Sequence, residues 1–310
     1  MFRKLRDTYM SPVSAKAKSE LRTTVAGILL TRFRQLRTKK GEREMWKHSS
    51  EELSAMLEVV TGKVEGELEG SSLHRHRKEL QKLLNDQSSS LLHKISALEA
   101  DMDANPKRLK TRDEFVKASI GWSLKVKKSG IENAGDGLYV DGRVGAGSLI
   151  GWFPGDTWLP EHLKKQGSMK KFLDDPKHLT LLRHDDTLID SRSYFSKCHE
   201  TNPYTLAHFA NHPEKGVKPN VIHLPIDFPA DVAHEEVVEF LPNRYPVGFG
   251  PTWLGTPDRS CCGYGIGLIA SRDVEDEEVF MNYKFNPDAE GLPDWFEGVE
   301  GEDEGRWKED

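Results

Sequence analysis

Residues Ala207–Asn220 read AHFANHPEKGVKPN. Two asparagines, Asn211 and Asn220, flank a charged spacer closed by Pro219. Asn and Pro at such positions read as a hydrogen-bonded connection, because the amide side chain can donate and accept while proline fixes the chain direction. His208, His212 and the nearby His223 invite a metal reading. With no CxxC in the chain and an adjacent pair, Cys261 and Cys262, as two of its three cysteines, they are expected to be satisfied structural histidines, with no metal site.

Outward from this stretch the texture is β-type. Short apolar runs broken by glycine and proline follow one another: SLKVKK, GLYVDGRV, GSLIGWF, DDTLID, PNVIHL, GIGLIAS and EEVFMNY. They predict a β-rich domain of short strands. Upstream, Gly135-Asp136-Gly137 lacks side chains at its two ends, so backbone groups there can approach a neighbour or a ligand closely. Leu138-Tyr139 after it reads as a strand rather than a phosphate-cradling helix. Downstream, Asp231–Tyr245 reads as a helix ended by Leu241-Pro242, inside a long excursion between two strands.

Residues 1–110 are different. Leu53, Met56, Leu57, Val60 and Val64 mark one helix face behind a capping box at Ser49 and Glu52. Leu80, Leu84, Leu91, Ile95, Leu98 and Met102 form a heptad-like stripe, expected to pack on its own domain more often than in a dimerising coiled coil. Asn105-Pro106 ends that run, and Thr111 with Glu114 opens a further short helix.

The ends carry opposite charge. Residues 1–50 hold 13 Lys/Arg against 4 Asp/Glu, and residues 288–310 hold 2 against 10. The basic end is compatible with a mitochondrial transit segment, with a patch for RNA, DNA or anionic lipid, or with a solvated helix face. The acidic end reads as loop, except for the apolar island Leu292–Phe296. The longest plain apolar run, Val25–Leu30, is far short of the about 20 residues that span a bilayer, so no transmembrane segment is expected. The cysteine usage fits a reducing, intracellular compartment: mitochondrion, cytosol or nucleus.

Taken in order, these stretches resemble the SET domain of protein lysine methyltransferases. The opening Gly-x-Gly-Leu/Val-Phe/Tyr of that family is matched by Gly135–Tyr139, and its next glycine-containing strand within Gly145–Gly155. Its mid-chain Ile-Asp is matched by Ile189-Asp190, and its Asn-His…Pro-Asn by His208–His212 with Pro219-Asn220. Its closing Glu-Glu…Tyr is matched by Asp276–Tyr283. The resemblance implies an α+β fold, a β-rich SET fold with a pseudoknot, over 111–286. Ahead of it lies the helical region 1–110, within it a helical insertion at about 228–262, and after it a post-SET-like segment and acidic tail at 287–310.

It also implies S-adenosylmethionine as cofactor and a lysine of a protein substrate as methyl acceptor. Gly135, Asp136 and Gly137 would hold the cofactor through main-chain atoms, Asn211 and His212 would contact its amino-acid and adenine parts, and Tyr283 would be the catalytic tyrosine. Tyr139 and Phe153 would wall the substrate channel, and Trp295 and Phe296 would close it where other members use a zinc cluster. The chain departs from the family pattern at Pro213-Glu214, in its six-residue spacer before Pro219, at His208 and Ala210, and at Asp276 where glycine is usual. The alternative reading is a SET-fold protein with weak or lost activity, a scaffold or assembly component that contacts RNA through residues 1–50.

Overall fold

The computed structural model describes residues 70–104, 112–160, 180–183, 185, 187–193, 201–229, 237, 239–245, 261–284 and 295–299. The basic segment, the capping box at Ser49 and Leu292–Asp294 lie outside them. The architecture is mixed α+β, with far more strands than helices.

Among the described residues, the strands form three small sheets. The first joins β1 (Trp122–Lys128), β2 (Asp136–Val144) and β10 (Val274–Glu275), with β2 in the middle. The second joins β3 (Leu149–Phe153), β7 (Val221–Pro229) and β9 (Cys261–Ala270), with β9 in the middle. The third runs β5 (Thr180–Leu182), β6 (Leu188–Asp190), β4 (Gly155–Trp158) and β8 (Asn243–Arg244). Strand β3 is buried along its whole length, so GSLIGWF reads as a continuous apolar run with no polar alternation.

The excursion expected between two strands separates β7 from β9, which pair antiparallel from Val221 opposite Ala270. Its described part returns through buried Val237, Phe240 and Leu241 to β8. Strand β8 pairs parallel with β4, and Asn243 Nδ2 donates to the carbonyls of Phe153 and Gly155.

Helix α1 (Gly70–Ala104) covers the second sheet. Leu80, Leu84, Leu91 and Ile95 of the expected stripe are buried, together with Leu92. Each such side chain contributes about 1.5–3 kcal/mol. Polar side chains fix the register of the helix on the sheet. Gln87 donates to the Gly147 carbonyl at 3.0 Å and accepts from the Leu149 amide at 2.8 Å. Trp152 Nε1 donates to Ser88 Oγ at 2.9 Å, between two groups with almost no exposure. The stripe from Leu80 to Leu98 therefore faces this chain's own strands and shares one core with them.

Helix α2 (Arg112–Ile120) follows, with Asp113 and Glu114 in its first turn, where the helix dipole favours acidic groups. Lys117 of α2 and Lys125 of β1 both pair with Asp141 of β2. Hydrogen bonds from Lys117, then Lys125, hold the Asp141 carboxyl down at about 2. A depressed carboxylate stabilises the fold above its unfolded value, and that contribution is lost as pH falls through the folded value. Melting wild type and Asp141→Asn between pH 5 and pH 2 should show a wild-type advantage at pH 5 that closes by about pH 2. A gap independent of pH would contradict the pairing.

One expected strand differs. EEVFMNY forms no continuous ladder but is an extended segment bridged to three distant places: Tyr139 opposite Glu278, Asn211 beside Phe280, and Val221 beside Met281. Groups of successive residues in an extended chain point to opposite edges. The Val279 and Met281 amides donate on one edge, to Leu138 and Asn211 carbonyls. On the other edge the Phe280 carbonyl accepts from the Asn220 and Val221 amides. Residues 278–283 thus lie between the two arms of the 211–221 connection.

Candidate functional site

Four chain segments meet where residues 278–283 pass between those arms: the Gly135–Gly137 turn, Ala210–His212, Asn220 and the 295–299 segment. Asn220 is fully buried and holds the crossing together. Its Nδ2 donates to the Glu278 carbonyl at 2.7 Å, and its Oδ1 accepts from the Phe280 amide at 2.8 Å. The six-residue spacer leaves this geometry untouched, because it folds outward as an exposed turn. The Val217 amide donates to the Glu214 carbonyl at 3.0 Å, and Gly216 supplies the positive φ of 77° that the turn needs.

Asn211 joins the connection to the glycine turn. Its Nδ2 donates to the Asp136 carbonyl and to Glu278 Oε1, both at 3.2 Å. Glu278 is buried and its carboxylate takes three further hydrogen bonds: from Ser129 Oγ at 2.7 Å, the Gly130 amide at 2.8 Å and the Tyr139 hydroxyl at 3.0 Å. Gly137 is required by this approach. A Cβ there would overlap Glu278 Oε1 and press on Asn211 Nδ2 at 3.2 Å. Burial, then the bond to Glu278, raises the Tyr139 hydroxyl above its usual range.

Tyr283 stands on the other side of Asn211. Its hydroxyl donates to the Ala210 carbonyl at 3.2 Å, and its amide donates to His212 Nδ1 at 3.2 Å. His212 Nε2 lies 2.8 Å from the Glu297 carbonyl. A neutral ring with its hydrogen on Nε2 satisfies both contacts. Both His212 nitrogens thus serve internal bonds. The 295–299 segment docks through buried Phe296 and Val299. The Phe296 ring lies 4.8 Å from His212, and Trp295, 59% exposed, stands 6.2 Å from Tyr283 edge to face. The Phe153 ring lies 6.3 Å from that of His208.

The expected site residues therefore divide into two linked groups. Gly135, Asp136, Gly137, Asn211 and Tyr139 gather around Glu278; Tyr283, His212, Trp295 and Phe296 gather beside the Ala210 carbonyl, and Phe153 lies beside His208. Tyr139 stands with the glycine turn rather than beside Tyr283. Among the described residues no cluster of three or more His, Cys, Asp or Glu could hold a metal.

Sequence reasoning missed Glu278. It is the second of two adjacent glutamates, and the first, Glu277, is an ordinary surface partner whose pKa Arg272 lowers. The signal was present in the alternation of an extended segment, which puts Glu278 and Glu277 on opposite sides. Asp276, at the family's glycine position, has φ of 50°. Aspartate tolerates this left-handed backbone, and its Oδ1 is anchored by the Gly142 amide at 2.7 Å. No protein-family model matches the chain, and no curated protein matches it. No described helix is long and apolar enough to cross a membrane.

Proposed function

We propose that the chain carries a SET-type fold and is an S-adenosylmethionine-dependent protein lysine methyltransferase. The observation that carries this reading is the Tyr283 hydroxyl bonded to the Ala210 carbonyl, one residue from an asparagine that is itself tied to the Gly-Asp-Gly turn. The passage of residues 278–283 between the arms of 211–221 supports the pseudoknot of that family, a rare exception to unthreaded chains.

The residues present fit the cofactor. Asn211 Oδ1 accepts no hydrogen bond from a described residue, so it is left as an acceptor for an ammonium. The glycine turn offers main-chain atoms without intervening side chains. When bound, S-adenosylmethionine supplies a methyl group on a positively charged sulfur. The chain's part is to align and desolvate a neutral lysine amine opposite that methyl, and such positioning supplies about 7–11 kcal/mol. Transfer would form the N–C bond as the S–C bond breaks, leaving a thioether, and the ammonium formed on the lysine would give up a proton to solvent.

Tyr283 orients the amine. While its hydrogen is directed to Ala210, a tyrosine hydroxyl oxygen is of the kind that can accept from the amine or face the positive methyl carbon. Phe153, Trp295 and Phe296 supply an apolar surround for the lysine stem, with Tyr139 at the edge near Glu278.

Titration calorimetry with S-adenosylmethionine tests the reading. Saturable binding is expected. No binding at millimolar cofactor would remove the enzyme reading and leave the scaffold one.

A further inference from the structure

We infer that Glu278 is a positioning residue that fixes which end of the Asn211 amide faces the site, and so makes the site selective for a ligand carrying an ammonium there. This rests on the cofactor reading above. An asparagine amide is nearly symmetric in shape, and turning it over exchanges a donor for an acceptor at no steric cost. Its orientation is set by its partners.

Here both partners of one end are pure acceptors, the Asp136 carbonyl and the Glu278 carboxylate. They hold Nδ2 inward, which leaves Oδ1 for the ligand. Glu278 is itself fixed by Ser129, the Gly130 amide and Tyr139. Gly130 N–H can only donate, so it holds one carboxylate oxygen and leaves the other, Oε1, facing Asn211. The absence of a Cβ at Gly137 makes room for this arrangement. The carboxylate touches no cation among the described residues, so its hydrogen-bonding capacity is spent on organising the turn.

Glu278→Gln separates orientation from shape. Gly130 N–H keeps the new side chain's oxygen on its own side, so its NH2 group takes the place of Oε1 and meets Asn211 Nδ2. Ser129 Oγ can accept from that NH2, but Asn211 cannot accept unless its amide turns over. Turning gives up the bond to the Asp136 carbonyl, and once turned the amide offers Nδ2 to the ligand and repels an ammonium.

The experiment is titration calorimetry of the full chain with two probes: S-adenosylhomocysteine and its desamino analogue, in which hydrogen replaces the α-ammonium. Wild type should bind S-adenosylhomocysteine at least tenfold more tightly than the analogue. E278Q should lose at least tenfold for S-adenosylhomocysteine and change less than twofold for the analogue. Unchanged affinity for S-adenosylhomocysteine in E278Q overturns the proposal, and so does an equal loss for both probes, the mark of a merely structural role. Wild type that binds both probes alike overturns the ammonium inference alone, whereas wild type that binds neither overturns the cofactor reading with it.

If E278Q does not fold, the wild-type side-chain amide decides. Both Asn211 Nδ2 protons should be protected from solvent exchange in nuclear magnetic resonance, before and after S-adenosylhomocysteine is added. Rapid exchange of either overturns the assignment.

Discussion

Replacing Tyr283 with phenylalanine should lower methyl transfer by roughly 10²–10³-fold, the loss typical of removing one oriented polar group aimed at a reacting centre. The substitution deletes only the hydroxyl, so the ring stays packed against His212 and Trp295. The Ala210 carbonyl loses its donor, at a stability cost of about 0.5–1.5 kcal/mol. Binding of S-adenosylhomocysteine should be nearly unchanged, because Asn211 and the glycine turn are untouched. A fall in turnover with intact binding is the pattern of an interaction made mainly in the transition state. Single-turnover rates measured beside product affinity give both numbers. Undiminished transfer would refute the role given to this tyrosine.

The largest stability effect should come from Arg183. Its guanidinium has almost no exposure. It donates to the carbonyls of Ile226 at 2.7 Å and Gly265 at 2.9 Å, and pairs with Asp185 and Asp227 at 3.0 and 2.6 Å. It also lies 5.0 Å over the Tyr264 ring. Arg183→Met leaves two carbonyls without a donor and two carboxylates without a counter-charge. Breaking a buried pair costs about 3–5 kcal/mol. Both aspartates are about a third exposed, so water screens them and the lower end applies. At about 2–4 °C per kcal/mol for a chain of this size, the midpoint of thermal unfolding should drop by about 6–12 °C. Arg183→Lys should recover little, because one ammonium cannot span four acceptors on three segments. A shift below 2 °C in Arg183→Met would mean that water replaces the guanidinium.

Much of the strand arrangement was legible because it is local. GLYVDGRV and GSLIGWF carry the composition of strands and fall on β2 and β3. The leucine stripe of α1 was also legible, but not what it packs against, since Gln87 and Ser88 are ordinary polar residues until Gly147 and Trp152 are beside them. Glu278 was illegible for the same reason: its donors lie 67 to 149 residues away along the chain. Arg183 stood unmarked in LLRHDD because a structural guanidinium and a solvated one look alike before the fold closes. Asn211, Asn220 and Tyr283 stood out in the sequence as motif positions, and each has a polar group with few partners to choose from once the segments meet.

The crossing of residues 278–283 has a consequence for the time at which the protein becomes competent. A chain emerges from the ribosome N-terminus first, at about 5–20 residues per second. Strands β1 to β3 and helix α1 can pack while synthesis continues, but the Gly-Asp-Gly turn stays incomplete until Glu278 arrives, and the Ala210 carbonyl waits for Tyr283. A nascent chain therefore holds its glycine turn unorganised for as long as it takes to make the residues between 137 and 278, roughly 7 to 28 seconds at those rates. Termination between Ala270 and Glu278 would leave strands β1 to β9 and most of the apolar interior in the product, yet without Glu278 and Tyr283 of the proposed active site.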